Sequence, residues 1–172
     1  LPSTEFTGSG QVEHKATTTA GFRQHFYGLV PGVSEQKEEE IKHPLITTAM
    51  VDPFNCLWGQ KSVQFDGKKW ERPVVDLNLV AEFDKAVGKW MRKRQRPKLL
   101  ISTQTKVIEV VVDEKGDWVP LTPLIIVEPQ EEDLWALAAS LSSPILSALA
   151  ARQTAGAARS VSRITLSARQ LL

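Results

Sequence analysis

The stretch from Leu134 onward constrains the fold more than any other part of the chain. Leu134 to Leu141 is a run of Leu and Ala, Ser142-Ser143-Pro144 interrupts it, and a second apolar run extends to Ala151. Gly156 and a short Ile/Leu segment, Arg163-Ile164-Thr165-Leu166, follow. Proline has no backbone N–H to leave unpaired at the first helical position, and a preceding serine hydroxyl can accept from the first turn. Ser143-Pro144 therefore restarts a helix. The pattern reads helix, break, helix, turn, strand, and predicts a C-terminal helical hairpin.

Upstream, the periodicities change. Residues 1 to 18 are rich in Ser, Thr, Gly and charge without a repeat and read as a flexible lead-in, leaving residues 19 to 172 as a single domain. Phe22, Phe26 and Leu29 stand at helical spacing, ended by Gly28 and Pro31. Gln36 to Lys42 is a charged loop, and Leu45 to Val51 reads as a strand stopped by Asp52-Pro53. Asp66-Gly67 between two alternating segments is the signature of a tight hairpin. Asp76 caps one amphipathic helix with Leu77, Val80, Phe83, Val87, Trp90 and Met91 on its apolar stripe. Strands are expected at Leu99 to Ser102 and Lys106 to Val112. Another is expected at Trp118 to Val127, where Pro120 and Pro123 favour a sheet edge. The fold class is thus α+β: a twisted mixed or antiparallel sheet, one amphipathic helix and the C-terminal helical hairpin.

At 172 residues the chain can bury one sizeable core, and 42% hydrophobic with 24% charged residues is a globular composition, not a disordered one. A single cysteine, Cys56, forbids an internal disulfide and any multi-cysteine zinc site. No stretch approaches a membrane span, and Leu-Pro-Ser-Thr-Glu-Phe is not a signal peptide, so a cytoplasmic location is expected. The missing initiator Met suggests a piece of a larger polypeptide. With a net charge of +1, nucleic-acid binding would have to come from local segregation of charge.

Such segregation exists. Residues 89 to 98 contain six Lys or Arg: Lys89, Arg92, Lys93, Arg94, Arg96 and Lys98. Two readings are open. Cations suit the exposed carbonyls at a helix C-terminus, and they also suit phosphates, where each contact releases condensed counterion. The polar break Ser102-Thr103-Gln104-Thr105-Lys106 follows at once. Gln can bond bidentately to adenine, Ser and Thr to several base edges, and Lys to guanine or phosphate, so Gln104, Thr105 and Lys106 suit groove reading as well as a plain connection. Arg152, Arg159 and Arg163 lie among small residues, where planar guanidinium forks could grip phosphate or simply solvate a helix face.

Catalytic constellations are sparse. His14, His25 and His43 lack ligand spacing, and no metal site is expected. Cys56 has no neighbouring base. Asp113-Glu114-Lys115, with Asp76 as an upstream acid, has the residue types of a magnesium nuclease but sits in what reads as an exposed turn.

Several strings together resemble the portion of bacterial adenine-N6 DNA methyltransferases that lies downstream of the catalytic half. These are Thr19 to Leu29, Arg72-Pro73-Val74-Val75-Asp76-Leu77, Pro97 to Thr105, Gly116-Asp117-Trp118-Val119-Pro120, and the helix–Ser-Pro–helix ending with Ser167-Ala168-Arg169-Gln170. The ending is also similar to that of type I specificity subunits. The resemblance spans about residues 16 to 172 and implies a target recognition domain that reads double-stranded DNA. Such a domain works beside a catalytic methyltransferase domain, in cis or as a partner subunit. The family's glycine turn for S-adenosylmethionine and its Asn-Pro-Pro motif do not occur here. The resemblance therefore implies a non-catalytic chain without cofactor, S-adenosylmethionine belonging to the separate catalytic domain. The candidate DNA contacts, read from charge and side-chain chemistry, are Arg92, Lys93, Arg94, Arg96, Lys98, Gln104, Thr105, Lys106, Arg152, Arg159 and Arg163. The alternatives are a protein-interaction domain that docks a partner subunit through its C-terminal helices, or a metal-dependent nuclease.

Overall fold

The computed structural model describes residues 16–20, 27–37, 42–129, 133–154 and 164–165. The elements run β1 (Ala16–Ala20), β2 (Val33–Glu35), β3 (His43–Ile46), β4 (Val51–Asp52), β5 (Asn55–Cys56), β6 (Val63–Phe65), β7 (Lys68–Trp70) and β8 (Pro73–Val75). Then come α1 (Leu77–Phe83), α2 (Lys85–Lys93), β9 (Lys98–Ile101), β10 (Gln104–Thr105), β11 (Val110–Asp113), β12 (Val119–Pro120) and β13 (Ile125–Pro129). The chain closes with α3 (Leu134–Leu141), α4 (Pro144–Thr154) and β14 (Ile164–Thr165). The fold is α+β.

Three aliphatic triplets make the centre. Leu99-Leu100-Ile101, Val110-Val111-Val112 and Ile125-Ile126-Val127 alternate faces along their strands, so consecutive apolar residues require a sheet covered on both sides. The antiparallel sheet β1-β13-β9-β11 is covered in this way. Leu100 opposes Val111 on one neighbour and Ile126 on the other, forming an all-aliphatic rung. On one face Leu99, Ile101, Val110, Ile125 and Val127 pack against Ala138 and Leu141 of α3. On the other, Leu100, Val111 and Ile126 meet Ile46, Met50, Val51 and Val63. Leu99, Leu100 and Ile101 are fully buried, each stabilising the fold by about 1.5–3 kcal/mol.

A second sheet, β12-β3-β8-β2, stacks behind that shared layer. Its β12 runs parallel to β3, and its other pairs are antiparallel. Alternation along β3 sends Ile46 toward the first sheet and Leu45 toward α1 and α2, where Leu77, Val80, Val87 and Met91 close a second core. Trp70 and Trp90 touch both cores. The layers are therefore helix, sheet, sheet, helices.

Local chemistry explains where the structure matches the expected elements and where it departs from them. The hairpin β6–β7 forms with Asp66 and Gly67 at φ 51° and 71°, the two left-handed positions that a type I′ turn demands. The single amphipathic helix becomes two, because Asp84 is extended at φ −142° and caps α2 through Ala86 and Val87 N–H groups, as Asp76 caps α1. A Cβ at Gly88 would lie 2.5 Å from Ala81 Cβ, so α1 and α2 approach too closely there for a larger residue. The strand expected over Leu45 to Val51 ends at Ile46, and a 3₁₀ turn, Thr48–Met50, follows. The segment Trp118 to Val127 divides: β12 is a sheet edge, but β13 is interior, with Pro123 in the turn between them. The stretch Lys106 to Val112 likewise pairs only from Val110.

Residues 16–18, expected in the lead-in, belong to β1, and the helix expected from Phe22 lies largely outside the described residues. At the C-terminal end Ser143 Oγ accepts from Ile145 N at 3.3 Å, as its cap role requires. The two helices change direction by only 51° across the break, so they form a bend rather than a hairpin that doubles back. No single helix among the described residues is long and apolar enough to cross a membrane.

Candidate nucleic-acid interface

The basic run does not stay together. Lys98 opens β9 with no exposed surface, its Nζ 2.5 Å from Asp113 Oδ2 across the β9–β11 rung. The ammonium also donates to the carbonyls of Arg96 at 3.4 Å and Gly116 at 3.3 Å. Burial pulls its pKa below the ordinary lysine value, and the Asp113 charge opposes that shift. Arg96 pairs with the buried Glu128, and this hydrogen bond strengthens its hold on its proton. Arg94 is buried with its guanidinium 4.1 Å from the Trp90 ring centroid. Burial lowers its pKa. These three cations were expected on phosphate, and the fold gives each an internal partner instead.

Asp113 is equally committed. Besides Lys98 it accepts from the N–H groups of Gly116, Asp117 and Trp118 at 2.9, 3.2 and 3.0 Å, pinning the loop after β11. Gly116 sits at φ 77°, with Arg96 backbone 2.4 Å from where its Cβ would be. A carboxylate so filled has no lone pair facing solvent for magnesium. Asp76 spends its own side chain on capping α1. Among the described residues no group of three His, Cys, Asp or Glu could hold a metal. Cys56 is half-buried, and burial raises its thiol pKa, which suits a packing role against the shared core.

What remains on the surface is a line along α2. Its buried side carries Val87, Gly88 and Met91, and its exposed side carries Lys85, Lys89, Arg92 and Lys93. These stand at i, i+4, i+7 and i+8, one face of a helix that contains no acidic residue. Arg92 is steadied by Asn78 Oδ1 at 2.6 Å and borders a depression shared with Lys42, His43 and Asp76. Among the described residues, Lys85, Lys89 and Lys93 have no ion-pair partner. Lys85 lies outside the basic run read from the sequence, and Lys89, though part of that run, was not among the expected DNA contacts. Their 3.6-residue phase with Arg92 was the signal available, obscured by the denser run that follows.

The polar break lies elsewhere. β9 separates Lys98 from residues 102–106 by four residues, or ~13 Å of strand, so the two features adjacent in sequence sit at opposite ends of a strand. Ser102 and Thr103 are buried, Thr105 donates to the Val107 carbonyl, and Lys106 is exposed. The break joins the C-terminal block instead: β10 pairs with β14 through Gln104↔Thr165 and Thr105↔Ile164, and α4 packs on β14. Arg152 is exposed in the last turn of α4. Arg159 and Arg163 lie outside the described residues. The structure thus joins the polar loop to the C-terminal segment and divides the basic run among four environments.

Compared with known proteins, the chain matches no family model and no curated sequence.

Proposed function

We propose that this chain is a non-catalytic DNA-binding module, the target recognition part of an adenine-N6 DNA methyltransferase or restriction–modification protein. The observation that carries the reading is the outer face of α2, four exposed cations in line with no acid among them. They span ~12 Å of helix, the axial rise of three to four phosphates along one strand. Arg92, Lys93, Lys89 and Lys85 would hold backbone, while the exposed Lys106 and the loop around it, on a separate edge, would contact bases. Resemblance in the strings from Thr19 to the C-terminus supports the family assignment. Methyl transfer would fall to a catalytic domain elsewhere, which would supply S-adenosylmethionine.

The test is binding of the full chain to a labelled duplex across a salt series. Four phosphate contacts give a log–log slope of roughly −3.6. Changing Lys85, Lys89, Arg92 and Lys93 together to Gln should flatten the slope by about that amount. An unchanged slope would remove α2 from the interface. Arg94, Arg96 and Lys98 are unsuitable targets, since their loss would disturb the fold itself.

A second reading, docking of a partner subunit, is favoured by the exposed Ile145, Leu146 and Leu149 on α4. It predicts capture or self-association that enlarging Ala148 abolishes, with DNA affinity untouched.

A further inference from the structure

Phe54 and Trp135 stand in solvent where no core requires them. Each is 48% exposed, Phe54 in the turn joining β4 to β5 and Trp135 in the first turn of α3. Their rings are nearly parallel, 19° between planes and 6.4 Å between centroids. Three segments fix them. Phe54 N–H donates to the Val110 carbonyl at 2.8 Å, the Trp135 indole N–H donates to the Glu114 carboxylate, and the Asp133 cap sets the start of α3. Phe54 has φ 57°, a left-handed backbone that Gly takes freely and a bulky aromatic residue does not. An exposed phenylalanine where glycine would be easier is not something folding alone calls for, and such strain gathers at binding sites.

The rim is acidic. Glu114 touches the indole, and Asp133 shares a groove with Trp135, Leu134 and Arg96. Arg96 is occupied by Glu128. Exposed aromatic faces bordered by carboxylates attract a cation and repel phosphate.

We propose that the Phe54–Trp135 surface docks a basic segment of a partner polypeptide, seating an Arg or Lys side chain over the ring faces within reach of Glu114. A guanidinium fits best, because it stacks on an aromatic plane and still presents its N–H fork to a carboxylate. The occupant follows from charge complementarity, and the surface is separate from the basic face of α2.

The experiment titrates the full chain with a short Arg–Gly peptide and with a counterpart carrying Gln for Arg, followed by tryptophan fluorescence and calorimetry. The Arg peptide is expected to bind and the Gln peptide not. Trp135→Ala and Phe54→Gly should each weaken binding about tenfold, the scale of one desolvated cation–ring contact. Glu114→Gln should weaken it and reduce its salt dependence. Phe54→Gly relieves the backbone, so an unfolding midpoint at or above that of the parent chain separates lost binding from lost structure. Absence of binding, equal binding of both peptides, or unchanged affinity in Phe54→Gly would overturn the proposal. So would a single-stranded oligonucleotide that quenches Trp135 where the peptide does not.

Discussion

Lys98 shows how little a charge on paper says about a charge in a fold. It is fully buried, and its ammonium is held by one carboxylate and two carbonyls. Removing one partner of such a pair strands the other in a low-dielectric interior, at a cost of about 3–5 kcal/mol. Lys98→Met and Asp113→Leu should therefore both lower the urea midpoint strongly. Asp113→Leu should be the worse, because it also orphans the three N–H groups of the following loop. Glu109 offers a pH test. Burial, with Asp52, raises its carboxyl above the ordinary 4.5, so the folded state keeps this proton longer than the unfolded chain does. Stability from this group is present at low pH and is lost as pH climbs from about 4.5 through the folded value. Glu109→Gln cannot ionise, so its advantage over the parent chain should grow across that window, as urea melts at stepped pH would register. The candidate cations were legible in sequence as charges. Their fates were not, since Asp113 and Glu128, which bind Lys98 and Arg96, lie 15 and 32 residues away along the chain.

At the scale of elements, α1 and α2 carry the clearest lesson. The apolar residues from Leu77 to Met91 keep one phase, so periodicity alone runs straight through Asp84. Phe83, on that expected stripe, is 68% exposed because the helix ends there and the chain turns. The break is set by Asp84 serving as a cap, a hydrogen-bonding choice that hydrophobic spacing does not record. Asp84→Ala removes the acceptor for two N–H groups and should cost about 1 kcal/mol by denaturant melt, with a matching loss of helical circular dichroism. It should also loosen the placement of the basic face proposed to meet DNA. The β6–β7 hairpin, by contrast, was readable in advance. Asp66-Gly67 carries its own demand for positive φ, and the flanking strands need no distant partner to define it. Pro123 stood between these cases: it marked a discontinuity, but only the pairing of β12 with β3 and of β13 with β9 shows that two sheets divide the segment.

For the whole molecule, the α+β class followed from the mixture of aliphatic runs and helical periods, whereas the stacking of two sheets did not. It depends on β12 returning to lie parallel to β3, with Val119 opposite Leu45, a partner far back along the chain. The consequence of that layering is felt at β1. One flank of the antiparallel sheet is shielded by the β4–β5 turn, through the Phe54 bond to Val110. Among the described residues, the other flank is sealed by the strand Ala16–Ala20 lying against β13. A version of the chain trimmed to start at residue 21 would bare the backbone of an Ile-Ile-Val strand along its length. Light scattering should then reveal particles growing with concentration, where the untrimmed chain stays dispersed. Five residues of alanine and threonine, chemically the blandest in the protein, would prove to be its safeguard against fibre-like self-stacking.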